Sequence, residues 1–234
     1  AFIGMGLWTQ GATIRNCTID TQFAGDACAI GAGGRDITFE NCSFPGYGNG
    51  VFVTDGSQNT RFIGCQFVRS TNGVLFDQMA QGSMSDCTFE GIQANALTIW
   101  NGAHADLDRV RIEGASTGIA TFSGAVVTGT NVVLKDTRIE GLLACCNASV
   151  TLTNSHFLPA QGYAVRCVST WASASTLNLT GNYWGTADEA AISTSIWDAV
   201  DQASINCTVQ FAPFANGPVP TETTSWGDLK SLWR

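Results

Sequence analysis

Charge is scarce in this sequence. Of its 234 residues, 11 are Lys or Arg and 19 are Asp or Glu, which gives a formal net charge of −8. Charged residues reach only 13% of the chain, about half the usual ~25% of a globular domain. So few and so scattered basic residues exclude a general nucleic-acid binder and disfavour attraction to anionic membranes. Lysine is nearly missing (Lys135 and Lys230) and proline occurs five times. His104 and His156 are the only imidazoles, which leaves a nucleophilic cysteine little prospect of a base. No apolar run approaches the ~18 residues of a membrane-spanning helix, so no membrane insertion is expected. The opening AFIGMGLW has neither the basic n-region nor the finished pattern of a signal peptide. There are nine cysteines but no CxxC spacing, which argues against a structural zinc ribbon. Disorder is excluded by the opposite deficiency: with 44% apolar residues there is too little polarity to keep the chain unfolded.

What the chain does have is glycine, 26 residues, with abundant Thr, Ser and Asn. That mixture favours short strands and tight turns over helices. One pattern recurs, apolar–x–apolar–x–(Asn/Gly/Asp)–x–x–apolar. It appears as ATIRNCTI (12–19), ITFENCSF (37–44), TRFIGCQF (60–67), GSMSDCTF (82–89), ADLDRVRI (105–112), VVLKDTRI (132–139), VTLTNSHF (150–157) and LNLTGNYW (177–184). Its sixth position is held by Cys17, Cys42, Cys65, Cys87, Val110, Thr137, Ser155 and Asn182, at spacings of 25, 23, 22, 23, 27, 18 and 27. The residue just before is Asn16, Asn41, Gly64, Asp86, Arg109, Asp136, Asn154 or Gly181. Seven of these eight are types that tolerate a left-handed backbone, so a sharp bend recurs at one place in each repeat.

On either side of the bend the apolar residues alternate with period two, as in a strand. A third short apolar stretch follows in six repeats: GVFV, GVLF, ALTI, GIAT, LLAC and AVRC. Three strands and three bends in some two dozen residues describe one coil of a parallel β-solenoid. About eight coils at ~4.8 Å would form a rod roughly 35–40 Å long around a shared apolar column. A two-sheet sandwich has no reason to keep one turn residue in register eight times. The reading is an all-β solenoid with coils over 1–185, a C-terminal cap over 186–215, and a linker and short tail over 216–234.

The NC-x-[IF] coils, NCTI and NCSF, resemble right-handed parallel β-helix proteins of the pectate-lyase-like superfamily. The segment 181–214 is similar to the closing segment of secreted bacterial β-helix-repeat proteins, where an N-x-W-G coil leads into a short acidic helix and a V-x-F-x-P-F strand. The resemblance covers most of the chain. It implies the right hand, the lyase-like topology and, with the Thr/Asn/Gly-rich and Lys-poor composition, a secreted or cell-surface location. For lyases of this superfamily it implies Ca²⁺-binding Asp residues and a basic Arg or Lys that removes a proton. For hydrolases it implies clustered Asp residues.

The two ends differ. Over 186–200 a helix is expected, with TADE (186–189) as a capping box and Ile192, Ile196 and Val200 on one face. Val209, Phe211 and Phe214 form a last strand. Trp226, Leu229 and Trp233 share one side of a possible helix at 225–234. No helical cap precedes the first coil: either upstream coils are missing from this chain, or the first ones are irregular, or that end stacks on another molecule in head-to-tail self-association. Cys17, Cys42, Cys65 and Cys87 form an inward ladder one coil apart. Either they are buried thiols packed like Val, or at least one neighbouring pair is bridged. Cys145 and Cys167, 22 apart, belong on adjacent coils.

Candidate site residues are few. His104, Asp106 and Asp108 alternate on the outer face of one strand, where they offer a divalent-metal or acid/base set. The alternative is a solvated strand edge, with Asp108 in a plain surface ion pair with Lys135 one coil on. Glu90, Glu113 and Glu140 form an expected carboxylate ladder, either neutralised by Arg111 and Arg138 or open to a cation or sugar. Tyr47, Trp100, Tyr163 and Tyr183 are the outward aromatics for stacking on sugar rings. No dedicated metal site and no cofactor are indicated beyond the Ca²⁺ that the resemblance raises. Short loops, few outward basic residues and no dense Asp cluster favour a non-catalytic structural or adhesive module, with a polysaccharide as a possible partner. A carbohydrate-active enzyme or sugar binder is the alternative.

Overall fold

The computed structural model describes residues 3–5, 9–20, 26–31, 34–46, 48–159, 161–169 and 175–220. All of its strands pair in parallel and fall into three sheets of nine, nine and six strands. Each turn lays down a leading strand, passes a bend, adds a middle strand, and then a trailing strand. Thr38–Glu40, Ser43–Pro45 and Asn49–Val53 are one such set. Six turns contribute a strand to every sheet, the last through Ser149–Thr153, His156–Leu158 and Tyr163–Cys167. The expected eight coils are therefore six complete ones, with partial turns at both ends. The flanking turns lack the middle strand and keep only isolated bridges such as Thr18 to Ser43 and His156 to Tyr183.

The bends show why the repeat has its residue preference. Asn16, Asn41, Asp86, Arg109, Asn131 and Asn154 have φ between 49 and 59°, and Gly64 and Gly181 have 62 and 74°. Asn and Asp hold this left-handed conformation because their short side chains bond locally, and Gly because it lacks a Cβ. At Gly64 an added Cβ would lie 2.5 Å from Asn41 Oδ1, so the Asn41 side chain would have to turn away.

One assignment is corrected. In the turn after Arg109 the bend is Asn131, not Asp136, and the position after it is Val132, not Thr137. Arg111 pairs with Val133, and Val133 with His156. The spacings then become 25, 23, 22, 23, 22, 23 and 27, so the fifth and sixth, 27 and 18 before, become regular and only the last stays long. Asp136 also has positive φ, 52°, but it belongs to the second bend of its turn.

Stacking identical positions builds the core as ladders. Phe44, Phe67 and Phe89 stack with ring centroids 4.8 and 4.6 Å apart, and Phe39 stacks on Phe62 at 5.2 Å. All five are buried. Each fully buried phenylalanine contributes roughly 1.5–3 kcal/mol. Cys42, Cys65 and Cys87 form the expected inward column, but Cys17 at its end is exposed, because no turn of the described chain covers it. Disulfides join Cys145 to Cys146 and Cys167 to Cys207. Cys145 and Cys167 thus lie on adjacent turns but bond elsewhere: Cys167 stands opposite Ala144, one residue off.

The C-terminal helix is shorter than the pattern suggests, spanning only Glu189–Thr194. Its cap is Asp188, which accepts from the Ala190 amide, while the Thr186 hydroxyl accepts from the Asp188 amide. Ile192 and Ile196 are buried, yet Ile196 has already joined the trailing sheet opposite Val165, and Val200 is exposed. The last strand is Cys207–Gln210. Phe211 and Phe214 lie beyond it and are partly buried against the core, where Phe211 meets Trp184 edge-on. The amphipathic stretch 225–234 lies outside the described residues. Among the described residues, no helix is long and apolar enough to cross a membrane.

Candidate functional site

The leading strand His104–Asp108 projects His104, Asp106 and Asp108 outward, with Ala105 and Leu107 buried between them. Their polar partners are internal. His104 Nε2 lies 3.1 Å from Asp106 Oδ1, which also accepts from the Thr128 hydroxyl. Asp108 accepts from Asn131 Nδ2 at 3.2 Å and from the Arg109 guanidinium. Lys135 is not its partner: it stands opposite Glu113 in the middle sheet. Arg109 also clamps Asp86 through Nε at 2.6 Å and Nη2 at 3.0 Å. This bond holds the Asp86 carboxyl below the usual carboxylate range and the guanidinium above its own. Among the eight bends between leading and middle strands, Arg109 alone is not Asn, Asp or Gly, and its span between two carboxylates offsets the cost of its left-handed backbone. Among the described residues, no three His, Cys, Asp or Glu side chains converge to hold a metal ion.

The carboxylate ladder is two rungs long. Glu90 and Glu113 stand opposite each other in the middle sheet. Glu113 accepts from Lys135 Nζ and Arg111 Nη2, both at 2.8 Å, and these two cations hold its pKa down. Glu140 is not the third rung. It lies in the trailing sheet between Thr117 and Tyr163, because the turn that carries it was placed one bend out of register. It is buried, accepting from Thr117 Oγ1 at 2.9 Å and Arg166 Nη1 at 3.2 Å. Arg138 instead donates to the carbonyls of Gly114, Ile92 and Gln93.

The aromatics separate by environment. Tyr183 packs edge-on against His156 at 5.6 Å, and Tyr163 tilts over Trp197 at 5.7 Å. Tyr47 lies outside the described residues. Trp100 is 44% exposed. Its indole N–H donates to Ser123 Oγ at 3.1 Å, and its ring lies 6.0 Å from Phe122. Such fixed orientation with an open face is what a stacking platform requires.

Trp100 ends a groove of about 410 Å³ on the outer face of the trailing sheet. Along it Phe52, Leu75 and Thr98 stand in register on successive strands. Beside them run Asn49, Asn72 and Asn95 at the strand starts. Asn72 Nδ2 donates to Asn49 Oδ1 at 2.8 Å, and Asn72 Oδ1 accepts from the Asn95 amide at 3.4 Å. None of the groove-lining residues is charged or an imidazole. Apart from Trp100, sequence reading missed this site. The signal was present, since NGVFV, NGVLF and NALTI each open on asparagine 23 residues apart. Reading the apolar stretches one residue late removed it.

A family model described as "Right handed beta helix region" matches residues 4–157, about two thirds of the chain. No curated protein matches it.

Proposed function

This chain belongs to the right-handed β-helix family, and from that premise we propose that it is a non-catalytic adhesive module of the cell exterior, holding an uncharged polysaccharide along its trailing sheet. The neutral, amide-lined groove that ends on Trp100 carries this reading. Side-chain amides at rung spacing, ~4.8 Å apart, offer a periodic row of hydrogen-bonding groups to a periodic, hydroxyl-rich chain. Phe52, Leu75 and the open face of Trp100 offer apolar contact to the C–H faces of its rings. A catalytic groove needs an acid or base within reach of the scissile bond, and the groove lining supplies none. On the other faces, Asp86, Glu113 and Asp106 bind the chain's own cations and hydroxyls.

The test is retention on insoluble neutral glycans and on polyuronates, measured by depletion and by affinity electrophoresis. Trp100→Ala is expected to weaken retention on the neutral glycan about tenfold, the loss of roughly 1.4 kcal/mol of contact. Cleavage of polyuronate with or without calcium, abolished by Asp106→Ala, would sink the reading and establish the enzyme in its place.

A further inference from the structure

The groove on the trailing sheet runs between two columns of residues, and both columns continue past its end. The polar column passes from Asn49, Asn72 and Asn95 through Thr117 and Glu140 to Tyr163. The apolar column passes from Phe52, Leu75 and Thr98 through Ala120 and Leu143 to Arg166. The strands stay parallel and in register along this whole length, so the backbone gives no reason for the groove to stop where Trp100 stands.

The side chains give the reason. In the open stretch Asn49 is exposed, and Asn72, Asn95, Phe52, Leu75 and Thr98 are half-buried. In the continuation Thr117, Ala120 and Glu140 are buried. Ala120 alternates with the core residue Ile119 and so faces outward, yet it is sealed from solvent. Arg166 spans this stretch. Its backbone stands in the apolar column opposite Leu143, while its Nη1 donates at 3.2 Å to Glu140 Oε1 in the polar column one turn back. The side chain therefore crosses from one wall of the channel to the other. Glu140 Oε2 accepts from the Thr117 hydroxyl at 2.9 Å, which extends the closure by one further turn. A carboxylate behind a planar guanidinium fixes where that group sits.

We propose that Arg166 sets the length specificity of the groove: anchored on Glu140, its guanidinium occupies the downstream half of one continuous channel and confines a bound glycan to the rungs from Asn49 to Asn95. This assignment rests on the reading of the groove as a neutral-glycan site. A sugar ring over the closed stretch has to displace an ion pair that is already made and leave the buried Glu140 carboxylate without its cation. That loss exceeds what a few hydroxyl contacts return. With one ring to each ~4.8 Å rung, affinity rises with chain length until the open stretch is filled and then stops rising.

The experiment is calorimetric titration of the full chain with neutral oligosaccharides, from disaccharide to octasaccharide. The wild-type affinity is expected to level off at about the tetrasaccharide. Two double variants, each checked for folding by circular dichroism, move that limit in opposite directions. Glu140→Asn/Arg166→Leu repeats in the closed stretch the residue types of the open one; it is expected to bind the octasaccharide about tenfold tighter and the trisaccharide unchanged. Asn49→Glu/Leu75→Arg sets the same pair at the corresponding register of the open stretch, on positions that are not buried; it is expected to weaken trisaccharide binding about tenfold. Three results would overturn the proposal and leave the glycan reading standing: wild-type affinity that climbs all the way to the octasaccharide, a folded Glu140→Asn/Arg166→Leu chain with the wild-type plateau, or an Asn49→Glu/Leu75→Arg chain with undiminished affinity. A wild-type chain that binds none of the oligosaccharides removes the glycan reading itself, and the proposal with it.

Discussion

Replacing Phe67 with alanine removes the middle ring of a three-ring stack. Phe67 is 0% exposed, with Phe44 at 4.8 Å and Phe89 at 4.6 Å. A buried phenylalanine removed to alanine costs about 3–5 kcal/mol, through lost transfer energy and the cavity left behind. The upper half of that range applies here. The flanking rings ride on strands whose spacing is fixed by backbone hydrogen bonds, so neither can settle into the gap, and two aromatic contacts of ~0.5–1.5 kcal/mol each go at once. Phe67→Leu, which refills most of the volume, is expected to cost less than half as much. Urea titration followed by far-ultraviolet circular dichroism measures both. Amide exchange adds a spatial test, because each strand hydrogen-bonds only to strands of the neighbouring turns. Protection is expected to fall in Ser43–Pro45, Gln66–Val68 and Thr88–Glu90 and to persist in Ser149–Thr153. A cost under about 1 kcal/mol, well below the cavity range, or a uniform loss of protection along the rod, would refute the stacked-column reasoning.

Three further perturbations follow from the same physics. Asn41→Val sets a β-branched side chain at φ 52° and should cost about 2 kcal/mol, whereas Asn41→Gly should be nearly neutral; equal costs in denaturant titration would show that the left-handed bend is not what selects the residue. Arg166→Met leaves the buried Glu140 carboxylate with the Thr117 hydroxyl. A loss of about 1–3 kcal/mol is expected, with Glu140→Gln recovering most of it in the double variant, and additivity of the two would contradict the pairing. Acid should act in two windows. Burial, together with the Arg111 charge, holds the His156 imidazole below its ordinary value against the raising effect of the Val219 carbonyl. The unfolded chain therefore takes up that proton first, and the stability contributed by neutral His156 is complete above pH ~6.5 and declines below it. Glu113 has a lowered pKa, so its contribution is present above pH ~4.5 and is lost as pH falls through its folded value. Thermal melts against pH resolve the windows, and a His156→Phe chain that keeps the upper one unchanged would count against this assignment.

The fold was legible because a left-handed bend admits few residue types, so Asn16, Asn41, Gly64 and Asp86 advertise it in the bare sequence. The same signal misled at Asp136. The preceding turns have a second left-handed corner at Arg69, Gly91 and Gly114, and an aspartate there carries the signature of the first. That slip carried Thr137 into the wrong column and moved Glu140 onto the wrong sheet. The C-terminal helix was overdrawn for a different reason: Ile192, Ile196 and Val200 keep helical spacing, but Ile196 is taken by the open edge of the trailing sheet at Val165, and tertiary pairing overrides local period. The groove stayed hidden apart from Trp100. Asparagines had already been explained as bend formers, so those at Asn49, Asn72 and Asn95 carried no surplus meaning until three strands aligned them.

Because the strands of each turn pair only with those of the turn below and the turn above, length is a free variable in this architecture. Insertion or duplication of a single segment of 22 or 23 residues lengthens the rod by one graduation and displaces no packed neighbour except at the splice. Reach can therefore be adjusted in whole steps by gene rearrangement alone.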